Sequence, residues 1–274
     1  MKDLTPKQIK DMDYNELIGI TKETNRIPGG RKTVFEIVNR TCIDRHSKVL
    51  EIGTSTGFTA IELSKLIPCY ITSIDINEIS LKETRKRAIK EKVENLKLLK
   101  ADVNKLPFDD ESFDLVIIGN VLSLMSNKEQ AFNECRRVCK KSGFIVAVPM
   151  YYIVKPFNKL IKEVSEAIQV NISPLFEKDW DKFFDIPNLE VYYTKKFKFD
   201  YIMDKEVKSF VENILDRAHL KEMRKDTLNT LYKKYKDYMY LFRDNLSKMG
   251  FSIILLSNKM VWEDKELYTS KEIK

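Results

Sequence analysis

The chain is sparing with the residues that most often mark a site. Its 274 residues include only four cysteines, two histidines, eight glycines and eight prolines. Cys42, Cys69, Cys135 and Cys139 are too few and too scattered for a disulfide scaffold, and fit a reducing, cytoplasmic setting. Cys135 and Cys139 would share a helix face. No CxxC partner or nearby histidine completes a zinc set, so no metal is expected and the thiols read as buried and inert. No apolar run approaches the ~18 residues of a membrane span. The opening MKDLTPKQIKDMDYNE lacks the apolar stretch of a secretory signal. Internal repeats, low-complexity stretches and linkers are also missing, so a single domain over 1–274 is expected.

Charge of one sign is not scarce. The formal net charge is +7, with basic clusters at Arg85–Arg87 and at Arg136-Arg137 with Lys140-Lys141. Both clusters fall in expected amphipathic helices and are interleaved with acids, and no nucleic-acid motif accompanies them. Solvated helix faces are the better reading, which argues against a nucleic-acid partner.

From Lys48 a rhythm emerges. Short apolar runs at 49–52, 70–74, 96–99, 115–118 and 144–148 alternate with helical patterns at 59–66, 79–92 and 127–141. Strands separated by helices at this spacing predict βαβ units and a mainly parallel, doubly wound sheet of Rossmann-like α/β class. The first 30 residues read as short N-terminal helices with Thr5 as an N-cap, followed by the turn Arg26-Ile27-Pro28-Gly29-Gly30. Beyond Pro149 an amphipathic helix over 158–168, a short helix near 176–184 and a strand over 189–199 are expected. A strongly helical stretch over 205–248 follows, with Gly250 as its C-cap and a last strand from Phe251 toward Trp262. The final ten residues read as frayed.

The most telling stretch is Glu51-Ile52-Gly53-Thr54-Ser55-Thr56-Gly57, where an apolar strand runs into a small-residue turn and then a helix. Small side chains let a ligand approach the backbone, and free amides at such a turn can meet an anionic group. Asp75 ends the next strand, 22 residues after Gly53, where a carboxylate can accept from both hydroxyls of a ribose. Asp102 follows the third strand, within reach of an adenine amino edge, and Gly119-Asn120 ends the fourth. All four points fall at the C-terminal edge of the sheet, where open α/β sheets bind ligands. A nicotinamide site would need GxGxxG, but positions 55 and 58 are not glycine.

Residues 26–149 resemble the class I S-adenosylmethionine-dependent methyltransferases, in particular the small-molecule branch of the ubiquinone-biosynthesis type. Glu51–Gly57 is similar to that family's cofactor loop, Asp75 to its ribose-binding acid and Ala101-Asp102-Val103 to its adenine-side acid. Leu106–Asp114 is similar to the approach to the fourth strand, and Arg137–Phe144 to the approach to the fifth. Ser55 departs from the glycine usual at the middle of the loop. The resemblance implies a seven-stranded sheet with an antiparallel last strand and a helical insertion or lid. It also implies S-adenosylmethionine as cofactor, held by Gly29, Gly30, Glu51, Gly53, Thr54, Ser55, Gly57, Asp75, Ile76, Asp102, Val103 and Asn120.

The expected layout is N-terminal lid helices over 1–30, a cofactor-binding core over 31–149, acceptor-pocket inserts over 150–250 and the last strand over 251–262. The expected activity is in-line transfer of a methyl group to a small-molecule acceptor in an aromatic-lined pocket. A protein that binds the cofactor without transferring methyl, as a sensor or regulatory subunit, and an RNA methyltransferase are the alternatives. No catalytic residue is assigned. His219, Tyr151 and Tyr152 are the candidates, with His46 read as a surface loop residue. Tyr14 and Trp180 are further aromatic candidates near the pocket.

Overall fold

The computed structural model describes residues 4–258, so the expected strand end toward Trp262 and the fraying of the last ten residues lie outside the described residues. Among the described residues eight strands form one sheet: β1 (Lys48–Ile52), β2 (Tyr70–Asp75), β3 (Leu96–Lys100), β4 (Phe113–Ile117), β5 (Cys139–Ala147), β6 (Met150–Tyr152), β7 (Leu189–Lys198) and β8 (Met249–Asn258). Strands β3, β2, β1, β4 and β5 lie side by side and parallel, and β8 runs antiparallel to β5, β6 and β7. The count exceeds seven because β5 is interrupted. Ala147 pairs with Ile254 and, three residues on, Met150 pairs with Phe251, so β6 carries on β5 in the same register along one edge of β8. The break falls at Val148-Pro149, where proline has no N–H to give a ladder. The Pro149 carbonyl still accepts from Ser252 N at 3.1 Å.

Alternation along the central strands divides the core between two faces. Leu50, Ile52, Val116 and Ile118 join the cluster on one face with Phe132, Trp180 and Phe184. Val49, Leu115 and Ile117 join the cluster on the other face with Val34, Ile37 and Leu63. The helices of this part are α3 (Arg31–Thr41), α4 (Phe58–Leu66), α5 (Glu78–Lys90), α6 (Lys128–Val138) and α8 (Glu177–Phe184). A further cluster joins α1 (Pro6–Asp11) and α2 (Tyr14–Thr21) to α9 (Asp204–Leu215) and α10 (Lys225–Leu246) through Ile9, Leu17, Val211, Leu231 and Tyr235. Helix α7 (Asn158–Ile168) packs between α10 and α2. The N-terminus starts as its residues suggest: the Thr5 side chain accepts from Gln8 N, and Gln8 answers at the Thr5 amide.

Three expectations need correction. The helix expected over 127–141 stops at Val138, because Cys139 pairs with Phe113 and Ser112 N donates to the Val138 carbonyl. Cys135 and Cys139 therefore do not share a helix face. Both are buried, as expected of them, and Cys42 is exposed at the end of α3. The stretch over 205–248 is two helices, and α10 is capped at Ser247 rather than Gly250. Gly250 lies inside β8, where a Cβ would stand 2.6 Å from the Phe197 carbonyl of β7.

Candidate functional site

A cavity of about 850 Å³ opens at the C-terminal edge of β1, β2 and β4. Of the residues assigned to the cofactor from sequence, Gly29, Gly30, Glu51, Gly53, Thr54 and Ser55 line it, as do Asp75, Ile76, Asp102, Val103 and Asn120. Gly57 does not. It sits at the start of α4 with φ +78°, where an added Cβ would stand 2.5 Å from the Thr84 methyl of α5, so it serves the loop's shape from behind.

The loop is tied to β2. Gly53 N and Thr54 N both donate to the Ile74 carbonyl, at 2.9 and 3.0 Å, and Gly57 N donates to Thr54 O at 2.8 Å. Ser55 N donates to Asp75 Oδ2 at 2.9 Å. These amides are therefore not free to meet an anionic group, contrary to the simplest reading of the turn. Their bonds instead lock the loop to the strand that presents Asp75. Gly53 has φ +73°, and a Cβ there would stand 2.5 Å from Val121 Cγ2. Ser55 also has positive φ, +49°, which explains why glycine suits the position. Its hydroxyl accepts from the Asn25 side chain at 3.1 Å. Behind the loop, Arg87 of α5 donates to the Thr56 carbonyl and burial lowers its pKa, so the Arg85–Arg87 cluster is not simply a solvated face.

The acids are distinct. Asp75 accepts Ser55 N at Oδ2 and Asn77 N at Oδ1, leaving acceptor capacity on each oxygen. Asp102 accepts both the backbone and side-chain nitrogens of Asn104 at Oδ1, at 2.9 and 2.8 Å. Glu51 is buried beneath the loop, takes a 2.7 Å bond from Ser73 Oγ, and its carboxyl pKa is raised chiefly by burial. Asn120 Oδ1 accepts from Met150 N at 3.2 Å, tying the end of β4 to β6.

None of the catalytic candidates lines the cavity. His219 lies in the turn between α9 and α10, with Nε2 3.0 Å from the Ile20 carbonyl. Tyr152 OH donates to Asn245 Oδ1 at 2.7 Å, and burial lifts its phenol to about 12. Tyr151 is buried and receives a 3.4 Å contact from Ser252 Oγ. Trp180 donates from Nε1 to the Met150 carbonyl at 3.1 Å within a ring cluster of Phe132, Phe183 and Phe184. Tyr151, Tyr152 and Trp180 pack over the sheet outside this cavity, while Phe132 and Phe183 line a separate cavity of about 500 Å³. Phe157 is 77% exposed, and Tyr14 bonds Glu23. The segment 150–250 contributes Met150, Val170, Phe199 and Leu246 to the cavity wall, an apolar lining with one aromatic ring.

Sequence reading passed over Asn25, whose N–H donates to Thr56 Oγ1 at 2.9 Å, and Phe58, Leu124 and Met125 in the cavity wall. A lone asparagine ahead of the Pro28-Gly29-Gly30 turn carries no spacing signal. Arg137, read as outer-face charge, clamps the loop before β4: it pairs with Glu134 and Asp110 and donates to the Leu106 and Phe108 carbonyls.

Comparison with known proteins agrees with this architecture. Residues 50–147 match the methyltransferase domain family. An uncharacterised protein of Haemophilus influenzae is 29% identical over 180 residues, 64% of this chain and 70% of that protein. The ubiquinone/menaquinone biosynthesis C-methyltransferase UbiE of Pseudomonas entomophila is 33% identical over 135 residues, 48% of this chain. The match spans about half of UbiE, 52% of its length. The crystal structure of MccD protein superposes with a TM-score of 0.73 at 25% identity, covering 86% of this chain and all of that one. The sheet order and the loop that follows β1 agree with the match of residues 50–147 to the methyltransferase domain family, so this stretch carries a methyltransferase domain.

Proposed function

We propose that the cavity holds S-adenosylmethionine and that the chain transfers its methyl group to a small, mostly apolar acceptor. The observation that carries this reading is the convergence of Asp75, Asp102 and the Gly53–Ser55 loop on one cavity. The residues fit the cofactor. Asp75 keeps one acceptor site on each oxygen for the ribose hydroxyls, and Asp102 Oδ2 is left for the adenine amino group. Gly53 keeps the loop's crest clear of side chain. A volume of about 850 Å³ accommodates a nucleoside cofactor with a small acceptor beside it.

When bound, S-adenosylmethionine supplies a methyl group on a sulfonium, open to in-line displacement. The chain's own part is to orient and to exclude water. Met150, Val170, Phe199, Leu124 and Leu246 give the cavity an apolar wall suited to an acceptor with few charges. Among the described residues the titratable groups lining the cavity are Arg26, Glu51, Asp75 and Asp102, and no histidine is among them. The acids fall on the cofactor side, so the acceptor's own acidity, rather than a side-chain base, supplies its nucleophile. The acid partners of Lys86, Arg137, Lys140 and Lys141 favour a small molecule over nucleic acid. We assign the activity to the cytoplasm on the strength of four free thiols.

Calorimetric titration with S-adenosylmethionine, followed by methyl-transfer assays over a panel of apolar acceptors, tests the reading. Micromolar donor binding and a methylated small product are expected. Tight binding of NAD with none of the methyl donor, or salt-sensitive methyl incorporation into RNA, overturns it.

A further inference from the structure

The helical insert before β8 grips the N-terminal segment at its carbonyls. Lys234 donates to the Lys10 and Met12 carbonyls. His219 lies at Ile20 O, and Arg217 donates to Thr21 O at 2.7 Å and Lys22 O at 2.5 Å. Helix ends leave such carbonyls without intrahelical partners, and helices of six and eight residues are marginal alone. Glu23 comes next. Its Oε2 accepts from the hydroxyls of Tyr14 at 2.9 Å and Tyr235 at 2.6 Å. Burial and the adjacent carboxylate raise both phenol pKa values, which keeps them protonated donors. Two residues further on, Asn25 bonds Thr56 and Ser55 of the loop, and Asn25–Gly30 forms one wall of the cavity.

We propose that Glu23, gripped by Tyr14 and Tyr235, and Arg217 are positioning residues for the methyl donor. Through them the α9–α10 insert fixes the strap Asn25–Gly30 against the cofactor loop. The insert thereby governs donor affinity while contributing only Leu246 of its helices to the cavity wall. This rests on the reading that the cavity holds S-adenosylmethionine. The carboxylate of Glu23 is the joint: upstream of it the carbonyls of Lys10, Met12 and Ile20–Lys22 are held by the insert, and downstream Asn25 bonds the loop. A strap released at Glu23 samples open arrangements, and apparent affinity falls in proportion to the competent fraction.

The test measures S-adenosylhomocysteine binding by calorimetry and stopped flow. Tyr235→Phe keeps the ring and removes the hydroxyl. Arg217→Ala removes the carbonyl clamp and Arg217→Lys restores part of it. Tyr152→Phe, which loses a buried bond from the sheet to Asn245 of α10, controls for general stability. Tyr235→Phe and Arg217→Ala are expected to weaken binding roughly tenfold, mainly through faster release. The donor KM rises with kcat at saturation unchanged, Arg217→Lys recovers part of the loss, and Tyr152→Phe binds as wild type. Wild-type affinity in Tyr235→Phe and Arg217→Ala overturns the inference. Should Arg217→Ala fail to fold, Tyr235→Phe carries the measurement. If the wild type binds no S-adenosylhomocysteine, the reading of the cavity fails instead. The strap is then judged by hydrogen exchange of residues 25–30, where faster exchange in Tyr235→Phe than in Tyr152→Phe upholds the coupling and equal exchange rejects it.

Discussion

The loop after β1 and the helical cap built from α1, α2, α9 and α10 hold their shapes by different means. Around the loop, its own amides make the ties to β2: two converge on the Ile74 carbonyl and a third meets the Asp75 carboxylate, with Thr84 and Arg87 closing on two of its carbonyls from behind. In the cap, long side chains reach across to backbone carbonyls, and an apolar core of its own lies beneath them. The first device tolerates few residues, because an added Cβ at Gly53 meets Val121 at 2.5 Å. The second tolerates many, since any donor of sufficient reach can serve a carbonyl. Rigidity at the loop is thus a matter of which residues are present, and in the cap a matter of how the helices pack.

The sharpest break of this contrast is Asp75→Ala. The side chain anchors the loop through Ser55 N and, on the proposed reading, offers its remaining acceptor sites to the ribose. Charge-assisted hydrogen bonds contribute about 1.5–3 kcal/mol each, so donor affinity is expected to fall roughly a hundredfold with the fold retained. Calorimetry on the variant checks this, and unchanged affinity would mean that the donor does not use the end of β2.

Gly53→Ala comes next and acts on the backbone. It forces a non-glycine residue to φ +73° and presses a methyl toward Val121. Left-handed backbone costs about 1–2 kcal/mol for an L-residue, and with the clash a loss of about 2 kcal/mol is expected in thermal or denaturant unfolding. Stability equal to wild type would show that the loop relaxes freely, against its tie to Ile74.

Trp180→Phe probes the other side of the contrast. The indole bonds the Met150 carbonyl and packs among Phe132, Phe183 and Phe184 outside the cavity. Loss of that bond and of some packing is expected to lower stability by about 1–2 kcal/mol while donor and acceptor KM stay at wild-type values. A changed acceptor KM would restore Trp180 to the pocket.

Much of the sheet was legible because buried parallel strands are short apolar runs separated by amphipathic helices. The β1 loop and Asp75 stood out because a small-residue turn after one apolar strand and an acid at the end of the next form a distinct spacing, and both line one cavity. The interruption between β5 and β6 was not, since Tyr151-Tyr152 continue an apolar pattern through Pro149. Gly250 was misread because glycine serves equally after a helix and where two strands crowd, and only the Phe197 carbonyl decides between them. The aromatic pocket was misread for a related reason: large rings in an insert suit a core as well as a ligand, and α8 uses Trp180 and Phe184 to cover the sheet. The union of the N-terminal helices with α9 and α10 left no motif, because its hydrogen bonds end on carbonyls that every residue possesses.

The smallest expected effect, at Ser55→Gly, lies where the two regions touch. Three terms compete there. Removing the side chain relieves the left-handed backbone at φ +49°, a gain of about 1–2 kcal/mol. Glycine widens the unfolded ensemble, a loss of about 0.4–1 kcal/mol. The variant also forfeits the Asn25 side-chain bond to Ser55 Oγ, at the low end of about 0.5–1.5 kcal/mol because the pair is exposed. The sum stays within about 1 kcal/mol of zero, so the melting temperature should move by no more than about 4 °C for a chain of this size. Affinity for the donor should fall only a few-fold, because Asn25 keeps its backbone bond to Thr56. Thermal unfolding and calorimetry on one preparation measure both quantities. A stability loss beyond about 2 kcal/mol would mean that the serine hydroxyl, rather than the strap's backbone, joins the cap to the loop.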